Sequence, residues 1–245
     1  MKDITPALQP TSAILLAAGQ SSRMGGEVGH ARKPFLVLEG LTLLELTCAA
    51  FDRSSAVVEI VLVGHKDDRE RLARMAENCL PLAKVRAIVD GGELRTDSVR
   101  AGIAACDPKC RLVAIHDVAR ALIETSIVER AIHTAGLKGA ALTAIPMNDT
   151  VKTSSDGEHA ETTLDRSVLW CAQTPQVFQI ARFKALLEQA RAENFRPTDD
   201  AALYERYQGP IPIVPGSAHN LKITTPDDLV VAASILRARR SARPS

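Results

Sequence analysis

The stretch Ser12 to Ala18 is a short apolar run that stops at Gly19, and this junction constrains the fold more than any other part of the chain. An unbroken apolar run of this kind reads as a strand buried on both faces, as at the centre of a parallel sheet, and its C-terminal end opens into the ligand crevice of an α/β fold. The residues that follow, Gly19-Gln20-Ser21-Ser22-Arg23-Met24-Gly25 and on to Lys33, combine glycines with fixed cations. Glycines let backbone N–H groups turn toward an anion, and Arg23 and Lys33 supply charge for phosphate oxygens. The segment reads as a triphosphate loop that includes Ala17, Ala18 and Gly19; a strand-to-helix turn that binds nothing is the competing reading. Two familiar loops are excluded. No Gly-Lys-Ser/Thr run follows Gly19 at Walker A spacing. Ser21 stands where a dinucleotide fingerprint needs its second glycine.

Strand-like and helix-like runs alternate along the rest of the chain. Val57–Val63, Val85–Val89, Leu112–Ile115 and Ala140–Ile145 are apolar and β-branched. Leu43–Phe51, Asp68–Asn78, Thr96–Ala105, Ser126–Ala135 and Ala181–Glu193 are the helices expected between or beside them. Thr225-Pro226-Asp227-Asp228 has the form of an N-cap, a first-turn proline and first-turn acids, opening a last helix through Val230 to Leu236. This alternation predicts an α/β fold with a mostly parallel sheet and helices on both faces. With no clear linker, residues 1–245 are expected to form one domain. Met147 to about Thr163 breaks the rhythm: it is polar and turn-rich, and reads either as a surface loop or as a projecting hairpin turned at Asp156-Gly157. The hairpin would need something to pack on, and a second subunit would provide it.

Charge and cysteine usage narrow the class of partner. Thirty basic residues against 29 acidic ones leave a net charge of +1, so no global field draws the chain to nucleic acid or an anionic membrane, and phosphate recognition must be local. The 5 cysteines are scattered and odd in number, which suits reduced thiols in a cytoplasm. Cys106 and Cys110 lack the second pair or nearby histidine that a zinc site needs. Met1 to Pro10 is too polar for a signal segment and no window has the apolar length of a membrane span, so a cytoplasmic protein is expected. The basic tail from Arg237 to Ser245 is expected to fray.

Three further polar groups fall at the ends of predicted strands. His116-Asp117-Val118-Ala119-Arg120 places Asp117 at a strand's C-terminal end, where one carboxylate beside a triphosphate suffices for magnesium; otherwise Asp117 caps the next turn and pairs with Arg120. Gly91-Gly92, followed by Arg95 and Ser98, forms a loop where a flat base could lie against backbone, with Arg95 and Ser98 positioning base or ribose; otherwise Ser98 is an early helix residue. In Asn220-Leu221-Lys222-Ile223-Thr224, an alternating strand would send Lys222 to the face opposite Leu221 and Ile223, either into the crevice as a phosphate ligand or into solvent.

Together these blocks closely resemble the 2-C-methyl-D-erythritol 4-phosphate cytidylyltransferase family. The resemblance runs through Ala17-Ala18-Gly19 with Arg23-Met24-Gly25, Gly91-Gly92-x-x-Arg95-x-x-Ser98-Val99, His116-Asp117-x-x-Arg120 and Asp149-Thr150-x-Lys152. It continues through Leu164-Asp165-Arg166-Ser167-x-Leu169-Trp170 into Gln173-Thr174-Pro175-Gln176-x-Phe178, then Thr198-Asp199-Asp200 and Asn220-Leu221-Lys222-Ile223-Thr224. It implies a Rossmann-like nucleotidyltransferase fold and a homodimer with Met147–Thr163 as the intersubunit arm. It also implies cytidylyl transfer from CTP to a sugar-alcohol phosphate with magnesium. In the site so implied, Arg23, Lys33 and Lys222 act on the phosphates and Asp117 holds the metal. Ala17, Ala18, Gly19, Gly91, Gly92, Arg95 and Ser98 surround the nucleotide, while Arg120, Thr150, Arg166, Thr198 and Thr224 bind the acceptor, with Thr150 and Arg166 drawn from the neighbouring subunit. Ribitol 5-phosphate cytidylyltransferase and an inactive nucleotide-binding subunit are the alternatives. Three positions depart from the family pattern: Arg32-Lys33-Pro34 replaces Pro-Lys-Gln after a longer loop, so that Arg32 competes with Lys33; Ala121 replaces a proline; and His219 replaces an acidic neighbour.

Overall fold

The structure, a computed structural model, describes residues 9–18, 32–78 and 83–242. In chain order its elements are β1 (Thr11–Leu16), β2 (Val37–Leu38), β3 (Leu41–Thr42), α1 (Leu43–Asp52), β4 (Val57–Gly64), α2 (Arg69–Asn78), β5 (Val85–Asp90), α3 (Arg95–Ala104) and β6 (Leu112–Asp117). They continue with α4 (Thr125–Lys138), β7 (Ala140–Pro146), β8 (Lys152–Thr153), β9 (Thr162–Thr163), β10 (Trp170–Gln179), α5 (Ile180–Ala192), α6 (Asp200–Gln208), β11 (Ile213–Pro215) and α7 (Pro226–Ser241).

The main sheet has the order β11-β7-β10-β6-β1-β4-β5. β1 pairs in parallel with β4 and β6, β4 with β5, and β7 with β11, while β10 runs antiparallel between β6 and β7. The unbroken apolar runs of the central strands follow from burial on both faces. In β1, Ala13 and Leu15 enter one core and Ile14 the other; in β4, Ile60 and Leu62 face the first and Val61 and Val63 the second. Helices α1 and α4 cover the first face with Leu43, Leu44, Phe51, Ile127, Val128 and Ile132. On the second face lie α3, α5 and α6, with Val99, Ile103, Phe183, Leu187 and Leu203, and Phe178 stacks on Phe183 at 4.2 Å between centroids.

The chain leaves β1 for β4 on one side of the sheet and returns to β6 on the other, so the strand order switches beside β1. A doubly wound sheet has its ligand crevice at the carboxyl ends of the strands at such a point. Leu16 and Asp117, the last residues of β1 and β6, are register partners there.

The expected strands and helices are present, with ends shifted by short distances. The expectation of a frayed tail is corrected for residues 237–242, the rest of that tail lying outside the described residues: α7 runs to Ser241, and its arginines are tied to the body. Arg237 pairs with Glu39 (2.8 Å), Arg239 reaches Leu122 O and Glu124 (2.8 and 2.7 Å), and Arg240 donates to Glu39 O (3.1 Å). Thr225 caps the start of this helix, as its sequence predicts, and Asp228 answers it to complete a capping box. Segment 147–163 forms a two-stranded ribbon, β8 against β9, outside the main sheet; residues 154–168 are all exposed and Gly157 turns with φ +78°.

Candidate active site

A cavity of about 310 Å³ opens at the switch point. Leu16 and Ala18 line it from the end of β1, Asp117, Val118 and Ala119 from the end of β6, and Gly92, Glu93, Leu94, Arg95 and Ser98 from the β5–α3 loop. Lys33, Pro34 and Lys222 complete the wall. Residues more than a hundred positions apart in the chain therefore meet where the fold places ligands.

The glycines of the β5–α3 loop are required by space. A Cβ on Gly91 would sit 2.8 Å from Ser98 Oγ and 3.1 Å from Ala18 Cβ, and one on Gly92 would collide with Asp97 Cβ. Gly91 N–H donates to Gly64 O (2.7 Å) and Gly92 N–H to Ser98 Oγ (3.2 Å), while the Ser98 hydroxyl donates to Leu94 O (3.3 Å). Ser98 thus braces the loop from within.

Charge in the cavity is organised around Asp117. Its Oδ2 accepts from Lys222 Nζ at 2.7 Å, and its Oδ1 faces Arg95 Nη2 at 3.3 Å. Burial pushes this carboxyl upward, but Arg95 and Lys222 outweigh it and hold it well below the usual carboxylate range. The expected surface pairing of Asp117 with Arg120 is not what forms. Arg120 instead donates to Asn220 O (2.8 Å) and Ala172 O (3.2 Å), stapling the segment before α7 to β10. Lys222 lies in an irregular segment and not in an alternating strand, yet the orientation expected of it holds: Ile223 is fully buried and Lys222 points at Asp117.

The structure separates the two competing cations. Arg32 is paired with Asp67 (2.9 Å) and Asp68 (3.0 Å), whereas Lys33, 7% exposed, lines the cavity from a 3-10 turn over Lys33–Phe35. Gly19 and Arg23 lie outside the described residues. Ala17 is buried behind the wall, its N–H donating to Val63 O at 2.7 Å.

The acceptor residues suggested by the resemblance are dispersed. The Thr224 hydroxyl donates to Asp228 Oδ2 (2.9 Å) at the start of α7. Thr198 is exposed ahead of α6, Thr150 is exposed at the base of the ribbon, and Arg166 is exposed with Nη1 on Asn148 O (2.7 Å). None of these four lines the cavity within this chain.

Several buried polar residues that build the site are not singled out by the sequence reading. Asn220, fully buried, donates through Nδ2 to Gln173 Oε1 (3.1 Å) and Thr174 O (2.9 Å), which anchors the segment carrying Lys222. Gln176 donates to Asp199 Oδ2 (2.8 Å) and accepts from Ala201 N–H (2.8 Å), which fixes the start of α6. His116 lies 2.9 Å from Thr174 Oγ1 through Nδ1; burial pulls its pKa down to about 3, so at neutral pH it is an uncharged brace. All of these stand in the sequence blocks quoted above, where their polar character hides their burial.

The carboxylates of this cavity are of the kind that could hold magnesium. Among the described residues no group of three or more His, Cys, Asp or Glu side chains converges on a common point. Asp117, with Glu93 as the other carboxylate of this cation-lined wall, suits a metal that takes one or two carboxylates and completes its shell with phosphate oxygens and water. Among the described residues no helix is long and apolar enough to cross a membrane.

Comparison with known proteins converges on one family. Residues 11–238 match the family described as 2-C-methyl-D-erythritol 4-phosphate cytidylyltransferase. The enzyme of that name from Pelotomaculum thermopropionicum is 39% identical over 233 residues, covering 95% of this chain and 97% of the relative; that from Alkaliphilus oremlandii is 37% identical, covering 96% and 99%. Among solved structures, 4-diphosphocytidyl-2C-methyl-D-erythritol synthase from Anaerococcus prevotii superposes with a TM-score of 0.82 at 30% identity, over 96% of this chain and 100% of that one. The cytidylyltransferase from Thermus thermophilus gives 0.74 at 30% identity, over 92% and 98%. With the family model matched over residues 11–238 and the relatives matched over nearly their whole length, the chain belongs to the 2-C-methyl-D-erythritol 4-phosphate cytidylyltransferase family.

Proposed function

We propose that this chain transfers the cytidylyl group of CTP to 2-C-methyl-D-erythritol 4-phosphate, giving 4-diphosphocytidyl-2-C-methyl-D-erythritol and pyrophosphate, a step of isoprenoid precursor synthesis. The observation that carries this reading is the convergence of Lys33, Lys222, Asp117, Arg95 and the Gly92 loop on one cavity in a chain of this family.

An anionic oxygen of the alcohol phosphate attacks the α-phosphorus of CTP. The new P–O bond forms as the bond to the bridging oxygen of the β-phosphate breaks, and pyrophosphate leaves with the electron pair. The nucleophile is already charged, so no general base is needed, and catalysis rests on positioning and electrostatic stabilisation. Lys33 and Lys222 face the phosphates: Lys33 is held in a fixed turn, while Lys222, with a 43% exposed side chain, moves from Asp117 to phosphate when the nucleotide binds. Arg23 is assigned to the same phosphates on the sequence resemblance. Asp117 is the magnesium holder, and the ion, when bound, neutralises part of the triphosphate charge. Ala18, Gly91, Gly92, Arg95 and Ser98 shape the nucleotide's seat.

The exposure of Thr150 at the base of the ribbon and of Arg166 just after it supports a homodimer in which each arm reaches the neighbour's site. Leu164, Val168 and Trp170 on and beside that ribbon are 39%, 71% and 45% exposed, apolar surface that a second subunit would cover. Arg120, Thr198 and Thr224 are assigned to the acceptor on the sequence resemblance, and a cytoplasmic location belongs to the same reading.

Pyrophosphate release with CTP, magnesium and each candidate acceptor tests the assignment. Turnover with 2-C-methyl-D-erythritol 4-phosphate at a kcat/KM far above that with ribitol 5-phosphate is expected. Preference for ribitol 5-phosphate would transfer the reading to that acceptor, and silence with both would sink it.

A further inference from the structure

Arg95 stands between two carboxylates of different exposure. Its Nη2 lies 3.3 Å from Asp117 Oδ1 in the cavity, and its Nη1 lies 2.8 Å from Oδ2 of Asp200 at the first position of α6. Asp200 is fully buried, and among the described residues no hydrogen-bond donor reaches its Oδ1. A buried carboxylate is costly unless a cation compensates it, so the sequence tolerates Asp200 because Arg95 is there. The adjoining Asp199 does the capping work of the helix, accepting from Ala202 N–H at 3.0 Å, so Asp200 is not spent on the cap.

We propose that Asp200 is a positioning residue that takes up the charge of Arg95 and thereby leaves Asp117 available to a divalent cation. The inference rests on the reading of Asp117 as the metal holder. Without Asp200, Arg95 would turn its whole charge on Asp117, and with Lys222 on the other oxygen the carboxylate would be neutralised twice over. With Asp200 present, the Asp200–Arg95 pair is close to neutral, and displacement of Lys222 by phosphate frees a carboxylate with its negative charge intact. Gln176 supports this arrangement from below, since its bonds to Asp199 and Ala201 fix the turn on which Asp200 sits. The fixed anchor also keeps Arg95 in the wall of the nucleotide's seat when Asp117 changes partners.

Binding of Mn2+ alone to the full chain carrying Lys222→Ala, which removes the cation that phosphate would displace from Asp117, is the reference against which each variant below is compared; read from loss of the free-ion paramagnetic resonance signal, it tests the proposal without reference to turnover. Asp200→Asn, which keeps shape and removes charge, is expected to weaken Mn2+ binding by about tenfold, the scale of one unit charge acting across a few ångströms at a partly screened site. Asp200→Glu is expected to recover most of the loss. Arg95→Gln should shift the affinity the other way and tighten Mn2+ binding, which keeps the test decisive if Asp200→Asn fails to fold. Unchanged affinity in Asp200→Asn, or unchanged or weakened affinity in Arg95→Gln, overturns the role of Asp200. Asp117→Asn in the same Lys222→Ala chain reports separately on the underlying reading: if it binds Mn2+ as the reference chain does, the metal assignment of Asp117 fails, and the inference with it.

Discussion

Lys33 and Arg32 are adjacent in sequence and carry the same charge, yet the fold gives them different work. Arg32 spends its guanidinium on Asp67 and Asp68 outside the cavity, whereas Lys33 is buried in the cavity wall. A cation that meets charge developing only in the transition state contributes to kcat, typically by two to three orders of magnitude. Lys33→Ala is therefore expected to lower kcat for pyrophosphate release by about a hundredfold or more. Arg32→Ala is expected to stay within a few-fold of wild type, and the reverse order would exchange the two assignments. His116 presents a residue-scale effect on stability instead. Burial pulls its pKa from 6.5 to about 3, so in the folded chain it stays neutral over a range where the unfolded chain takes up a proton. Its contribution is complete above pH 6.5 and is lost as the pH falls toward about 3, at up to about 1.4 kcal/mol per pH unit. Replacing it with Asn, which retains a donor and an acceptor, should flatten the acid side of the urea-unfolding free energy by that slope. An unaltered slope would mean that His116 does not bury as a neutral ring.

At the scale of elements, the β5–α3 loop shows how little tolerance the nucleotide's seat has. Gly92→Ala would drive a methyl group into Asp97, and because Asp97 accepts from Leu94 N–H the displacement passes to the residues lining the cavity. The expected result is a destabilisation of about 1–3 kcal/mol with a raised KM for CTP and a smaller change in kcat. A wild-type KM for CTP would show that the loop gives way without consequence for the nucleotide. Elements with a clear physical signature are legible in the sequence. β1, β4, β6 and β7 are apolar runs because both sheet faces are covered, and the start of α7 carries its capping box in four consecutive residues. β10 does not read as a strand, since Gln173, Thr174 and Gln176 are polar and proline interrupts them. Those side chains are buried and bonded to Asn220, His116, Asp199 and Ala201, partners that local periodicity does not reveal. α6 is hidden for a related reason: its buried face begins with a charged residue, Asp200, whose compensation by Arg95 arises only on folding. The cavity residues Asp117, Lys222 and Gly92 are legible because each stands at a strand end or in a motif, whereas the bracing roles of Arg120, Ser98 and Thr224 depend on groups brought near by tertiary structure.

On the scale of the whole molecule, the cavity and the ribbon pose one question: whether a complete site needs two chains. Lys222 faces the cavity of its own chain, while Arg166 is exposed just after the ribbon, in the turn leading to β10, with its guanidinium on Asn148 O, and lines no part of that cavity. In a two-fold dimer with exchanged arms, each site would take Lys222 from one chain and Arg166 from the other. Lys222→Ala and Arg166→Ala chains should each be nearly inactive alone, the first through kcat and the second chiefly through KM for the alcohol phosphate. In a mixed dimer, both defects fall in one site and the other site is wild type. Random reassortment of equal amounts makes half of the dimers mixed, so the mixture should regain about a quarter of wild-type activity. Differently tagged chains allow the mixed dimers to be isolated and assayed on their own, where about half of wild-type activity per dimer is expected. If isolated mixed dimers stay inactive, each site is complete within one chain, and the exposed apolar residues of the ribbon serve association without shared catalysis. If the chains do not associate at micromolar concentration, the arm assignment itself is lost, and Arg166 would have to reach the acceptor by movement of its own ribbon.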